Sequence, residues 1–258
     1  MVGADRVQVH ALVGPDEDAH VFEPKPAHAK RILQSQLVVT NGLGFEPWMA
    51  KLLKSSGYKG PVVQASDGVT ARTMPAETGG GVETDPHAWQ NPGNVILYVR
   101  NIAAGLSKLD PEGAATYNAN AESYVAELQK LDDWAKAQIA AIPEGKRKVI
   151  TSHDAFGYFG AHYGVTLLAP QGISTEAEPS SKGVAKLIRQ IKQEHIKAVF
   201  LENMSNAKLI TQIAKDTGVI LGRSLFADAL SKSNPEGASY LQLMRYNVKA
   251  LVEGMQMN

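Results

Sequence analysis

Seven histidines and no cysteine set the terms for any metal chemistry in this chain of 258 residues. Without thiolates, a transition metal has to be held by imidazole and carboxylate groups. Three of the histidines fall where a loop or a strand end is expected. His20 lies in Asp18-Ala19-His20-Val21-Phe22-Glu23-Pro24, His87 in Asp85-Pro86-His87-Ala88-Trp89, and His153 in Thr151-Ser152-His153-Asp154. Prolines close to His20 and His87 stiffen both loops, which preorganises a side chain. The other four read as surface or packing residues. His10 sits on the polar side of an alternating stretch, and His28, His162 and His195 sit within helical ones. As a set, His20, His87 and His153 suggest a metal site, because histidine is the commonest transition-metal ligand where thiolates are absent. No spacing rule ties them together, so at this level three structural histidines remain the alternative. The sequence contains no HExxH, no histidine pair at helical spacing, no P-loop, no GxGxxG after a strand and no Gly-x-Ser-x-Gly. Metalloprotease, nucleotide-binding and serine-hydrolase motifs are therefore lacking.

The elements that must position these residues alternate between strand and helix. Val7, Val9, Ala11 and Val13 alternate with Gln8, His10 and Leu12 and predict a strand ending at Gly14-Pro15. Helices are predicted at 27–36 and 46–54, strands at 37–40 and 61–63, and a loop over 65–90 that includes Gly79-Gly80-Gly81. A helix follows over 92–109. Asp110-Pro111 then supplies a cap and a first-turn proline. Tyr117, Ala121, Tyr124, Leu128, Leu131 and Ala135 form one apolar stripe, stopped by Pro143 and Gly145. That predicts a helix of about 46 Å, long enough to span two small lobes. Beyond it, strands are predicted at 148–151, 165–168, 198–201 and 219–221. Helices are predicted at 154–163, 181–194, 206–217 and 237–254. Strands alternating with helices imply parallel sheets flanked by helices. The expected fold is α/β, with an N-terminal lobe over 1–109, a linking helix over 110–143 and a C-terminal lobe over 144–258.

Composition narrows the function classes. Lysine plus arginine and aspartate plus glutamate both number 26, so the chain is neutral and has no basic block. That argues against a nucleic-acid partner. No stretch approaches the ~20 apolar residues of a membrane span, and the chain opens on Met1-Val2-Gly3-Ala4-Asp5 without an apolar signal region.

Six separated runs are recognisable: LVGPDEDAHVFEPKP, VVTNGLGFEPWMAKL, DPHAWQNPGNV, TSHDAFGYFGAHYGV, GISTEAEPSSKGVAKLI and FADALS. Together and in order they resemble the zinc- and manganese-binding solute-binding proteins of bacterial ABC importers, the ZnuA/TroA-like group, from about Gly3 to the C-terminus. The resemblance implies two α/β lobes joined by a long rigid helix, with the metal in the cleft between them. It implies that His20 and His87 from the first lobe, and His153 and Asp228 from the second, bind the metal. Without it, Asp228 is an ordinary loop aspartate. It further implies a non-enzymatic receptor that captures a divalent metal as transported cargo and delivers it to a cognate ABC permease. Such a receptor works as a monomer in the periplasm or lipid-anchored on the outer membrane face. Zn2+ is the expected cargo and Mn2+ the alternative, because manganese-tuned relatives tend to carry glutamate at the position of His153.

Two departures stand out. The segment from Pro75 to Thr84 is short and contains no histidine, unlike the metal-collecting loop of many zinc receptors. The resemblance also places a strand and a helix ahead of Gly3, so the N-terminal lobe is expected to lack its first strand and helix and to have an open sheet edge. Rival readings are a surface adhesin on the same fold and a zinc hydrolase using Asp154 or Glu202 as base. A third is an organic-solute receptor, to which Trp48 and Trp89 hint.

Overall fold

In the computed structural model, residues 2–75, 80–176, 179–204 and 207–258 are described. The N-terminal half contains α1 (Pro26–Leu33), β1 (Val38–Thr40), α2 (Met49–Ser56) and β2 (Val62–Gln64). β1 and β2 pair in parallel, Val38 opposite Val62 and Thr40 opposite Gln64. Ile32, Val38, Met49 and Leu52 close a small core between them. Pro26 starts α1, where its missing N–H costs nothing, and the Lys25 N–H donates to His28 Nδ1 at 2.8 Å. His28 thus has the structural role expected of it. Helix α2 ends on Gly57 in the left-handed region, φ +73°, which glycine adopts without steric cost.

Two expectations for this half fail. The alternation over 7–13 does not become a strand, because no described strand pairs with it. Val9 is left 83% exposed. The predicted loop over 65–90 contains an antiparallel hairpin, β3 (Thr73–Pro75) with β4 (Val82–Thr84). Gly79 lies outside the described residues.

Helix α3 (Pro92–Leu109) begins at Asn91, whose side chain accepts from the Gly93 N–H. A 3-10 turn at Pro111–Gly113, capped by Asp110, leads into α4 (Ala114–Ala140). At 27 residues, α4 is about 40 Å long. Its buried stripe is Tyr117, Ala121, Val125, Leu128, Leu131, Ala135 and Ile139. One end packs on Val95, Val99 and Ala103 of α3. The other joins a core with Val149, Phe156, Phe159, Met244 and Leu251 of the C-terminal half.

That half contains β5 (Lys148–Ile150), α5 (Gly157–Tyr163), β6 (Thr166–Leu168), α6 (Ser181–Glu194), α7 (Ala207–Thr217) and α8 (Tyr240–Met257). β5 and β6 are parallel. The predicted strands at 198–201 and 219–221 are reduced to parallel bridges, Ile150 to Val199 and Val199 to Leu221. Residue 206, the expected start of α7, and Ala177-Glu178 of the fifth run lie outside the described residues. His162 Nε2–H donates to Asp132 Oδ1 at 2.7 Å, and His195 caps α6. His10 lies exposed beside Arg31. No described helix is long and apolar enough to cross a membrane.

Candidate metal centre

Each of the four singled-out side chains is placed by a local device. At His20, Asp18 Oδ1 accepts the backbone N–H at 2.9 Å, an aspartate turn that fixes the residue two positions on. Trp48 Nε1, at the start of α2, donates to the Ala19 carbonyl at 2.8 Å. Phe45 meets the His20 ring edge-on, centroids 5.0 Å apart. The device recurs at His87. Asp85 Oδ1 accepts the His87 backbone N–H at 3.0 Å and the ring Nδ1–H at 2.8 Å. The carboxylate holds the ring proton on Nδ1 and turns the Nε2 lone pair inward.

His153 follows the carboxyl end of β5, where α/β sheets gather functional groups. Glu202 Oε1 accepts the N–H groups of Ser152 and His153 at 2.8 and 3.1 Å, and its Oε2 takes the Nδ1–H of His153. Asp228 lies in the segment after Leu225, which bridges to Glu202. Asn247 of α8 bonds both the N–H and the carbonyl of Phe226. Trp89 Nε1 and Gln90 Nε2 both donate to the Ala227 carbonyl at 3.0 Å. His87 and Asp228 are therefore registered to each other through their neighbours.

These devices bring the four together. One donor atom from each of His20, His87, His153 and Asp228 lies within 4.8 Å of the others. His20 Nε2 is 3.2 Å from His87 Nε2, and His153 Nε2 is 3.0 Å from Asp228 Oδ2. Asp228 Oδ2 is 3.6 Å from His20 Nε2, and Oδ1 is 3.6 Å from His87 Nε2. Donors about 2.0–2.1 Å from a tetrahedral ion sit about 3.3–3.4 Å apart, so a cluster with separations of 3.0–3.6 Å is of a size to surround one ion.

The electrostatics call for a cation. The side chains of His87, His153 and Asp228 are fully covered. His153 Nε2 and both Asp228 oxygens are buried without a hydrogen-bond partner. Three acceptors facing one another are costly unless a cation lies between them. Three carboxylates serve the centre, Asp85, Glu202 and Asp228, against one guanidinium, Arg72, whose Nε is 3.5 Å from Asp85 Oδ2. With neutral imidazoles these groups leave the centre net negative, which favours a cation. Lacking it, the centre captures a proton. Burial alone would lower the His153 pKa, but the Glu202 and Asp228 carboxylates outweigh it and raise it well above the ordinary value. Burial would raise that of Asp228, but His153 and His87 hold it far below the carboxylate range.

Asp85 and Glu202 are the functional residues that sequence reasoning missed. Asp85 was visible as an aspartate two residues before a histidine. Glu202, considered as a hydrolase base, is instead committed to His153 and two backbone N–H groups. Asp154 is largely covered, and burial, with Asp85 nearby, raises its pKa. Both indole N–H groups of Trp48 and Trp89 are used on backbone carbonyls, so neither N–H is left to bind an organic solute. Gly157 opens α5 against this shell. A Cβ there would lie 2.7 Å from Asp85 Oδ2, so any side chain would push on the carboxylate that orients His87.

Comparison with known proteins agrees with this architecture. Residues 1–254 match the family of the zinc-uptake complex component A, periplasmic, ZnuA. The manganese ABC transporter substrate-binding lipoprotein PsaA of Streptococcus pneumoniae is 31% identical, covering 98% of this chain and 84% of its own length. The iron ABC transporter substrate-binding lipoprotein MtsA of Streptococcus pyogenes serotype M1 is 32% identical with the same coverage. The periplasmic zinc-binding protein TroA of Treponema pallidum superposes with a TM-score of 0.91 at 25% identity, covering 98% of this chain and 93% of that one. The chain belongs to the ZnuA family of metal ABC transporter substrate-binding proteins. It is a binding protein and not an enzyme.

Proposed function

We propose that the chain captures one divalent transition metal, Zn2+, between His20, His87, His153 and Asp228, and carries it to an ABC permease. The single observation behind this reading is the set of buried, unpartnered acceptors, His153 Nε2 and both Asp228 oxygens, converging with two further imidazoles. Zinc is favoured because three imidazoles and one carboxylate supply the four nitrogen and oxygen donors of a tetrahedral zinc site. Family membership supports delivery to a permease, and the lipoprotein and periplasmic relatives support a location outside the cytoplasmic membrane. Within this reading, residues 1–109 and 144–258 are the lobes, 110–143 is the link between them, and the protein works as a single chain.

A manganese receptor is the second reading. It is supported by the manganese-binding relative and by the placement of both Asp228 oxygens within 3.6 Å of imidazole nitrogens, since a carboxylate using both oxygens adds an oxygen donor and suits a harder ion.

The test is calorimetry on metal-stripped protein, with elemental analysis of protein taken directly from cells. Zn2+ is expected to bind tightly at one ion per chain and to be displaced by Mn2+ only at large excess. His87→Ala is expected to weaken binding by at least a hundredfold. Unaltered binding in that variant would sink the assignment, and manganese in the cellular protein would select the second reading.

A further inference from the structure

The candidate centre is closed as it stands. His87, His153 and the Asp228 carboxylate are fully covered, and His20 is 5% exposed. A cation can leave only if a segment moves. The segments bearing His87 and Asp228 are joined by the buried bond from Gln90 to Ala227. The loop bearing His20 is joined to the C-terminal half chiefly at its rim.

Asp16 makes that joint. Its backbone N–H donates to the Leu230 carbonyl at 2.9 Å. Its Oδ1 accepts from Asn203 Nδ2 at 2.9 Å. Its Oδ2 accepts from Ser231 Oγ at 3.0 Å and from the Lys232 N–H at 3.4 Å. Asn203 adjoins Glu202, which orients His153, and Ser231 lies three residues past Asp228. One carboxylate from the His20 loop therefore grips both C-terminal segments that frame the centre. Asp18 adds a second grip, its Oδ2 accepting from Thr175 Oγ1 at 2.6 Å while its Oδ1 holds His20. Asp16 is also one of the few non-glycine residues in the left-handed region, φ +59°. Such a conformation costs free energy and persists where surrounding bonds over-determine it.

The geometry points to Asp16 as a clasp that sets the rate at which bound metal escapes. It is a positioning residue, acting through the His20 loop and never touching the ion. This inference rests on the reading of the four side chains as a metal site. Asp16 is solvent-exposed, so its bonds contribute little to global stability. They must nonetheless break before Leu230 and Ser231 can part from the loop of His20. A recess of about 180 Å3, lined by Phe45, Trp89, Asp228 and Leu230, lies on the other side of Leu230, whose carbonyl accepts the Asp16 N–H. A contact present in the closed form and absent from the open one biases only the opening equilibrium, so its loss acts on escape and does not slow capture.

The experiment is stopped-flow release of Zn2+ from loaded protein into excess EDTA, with association measured separately. Asp16→Gly suits the backbone, because glycine accepts the positive φ, and it removes only the carboxylate. Release is expected to accelerate about tenfold, with association unchanged or faster and one ion still bound per chain. Asn203→Ala, which leaves the His20 loop intact, is expected to accelerate release as well. The double variant is expected to match the faster single one, since both remove the same clasp. An unchanged release rate in both single variants overturns the clasp. So does slower association or lost stoichiometry, which would mean a damaged site. Failure of the unaltered protein to bind Zn2+ or Mn2+ would overturn the metal-receptor reading itself, separately from the role of Asp16.

Discussion

His153 carries the most information at the scale of single residues. It stands between two carboxylates, Glu202 on Nδ1 and Asp228 near Nε2, and its pKa is raised well above 6.5. Metal needs the Nε2 lone pair, so ion and proton compete. Asp228 stays ionised throughout, because its pKa is held far below the ordinary range. Apparent metal affinity is therefore expected to fall as pH drops below the raised His153 value, by about tenfold per unit when one proton is displaced. Metal-free stability has the opposite slope. A raised folded-state pKa contributes stability that is complete below 6.5 and is lost as pH rises through the folded value. Titrating affinity and metal-free unfolding between pH 5 and pH 9 checks both, and an affinity independent of pH would remove His153 from the site. His20, His87 and His153 were legible in the sequence because loop and strand-end positions set them apart from four helical or surface histidines. Asp228 was not. An aspartate in Phe226-Ala227-Asp228-Ala229 has no local signal, and only resemblance singled it out. Its place beside the three imidazoles arises from packing, through Asn247 and the donors from Trp89 and Gln90.

The helices were legible among the elements because their apolar period is long and their caps are explicit. α3 matches its predicted bounds, and α4 keeps its predicted stripe apart from Tyr124, which yields its buried place to Val125. Strands fared less well, for a physical reason. A strand is completed by a partner, and partners are not written in the local pattern. The alternation at 7–13 is sound, yet it pairs with nothing described. The apolar run at 198–201 is buried or partly so and that at 219–221 leaves Ile220 exposed, and they contribute only isolated bridges, Val199 to Ile150 and to Leu221. The hairpin at 73–75 and 82–84 escaped notice because both of its strands are largely exposed and carry no apolar period. The two-sided role of α4 makes its core residues a test of the architecture. Leu128 is fully buried against α3. Leu128→Ala is expected to destabilise metal-free protein by about 2–5 kcal/mol, read from urea unfolding, with one metal still bound per chain. Loss of less than 1 kcal/mol would mean that α4 is not the shared spine.

Two facts combine at the scale of the whole molecule. α4 belongs to the cores of both halves, and the four candidate ligands divide evenly between residues before and after it. Side chains of the one helix are thus packed into both halves. The ion, when bound, is a second tie between halves that the helix already joins. It also offsets the negative charge of Asp85, Glu202 and Asp228. Binding free energy therefore enters the stability of the entire chain. Free Zn2+ at a thousand times its dissociation constant adds about 4 kcal/mol to the folded state. For a chain of this size each kcal/mol moves the midpoint by about 2–4 °C. Scanning calorimetry is expected to show a single transition that rises by about 8–16 °C between chelator and Zn2+. In His153→Ala most of that rise should vanish, although His20 and His87 remain. Two separate transitions, of which Zn2+ moves only one, would place the ion within one half and refute a site shared across the cleft.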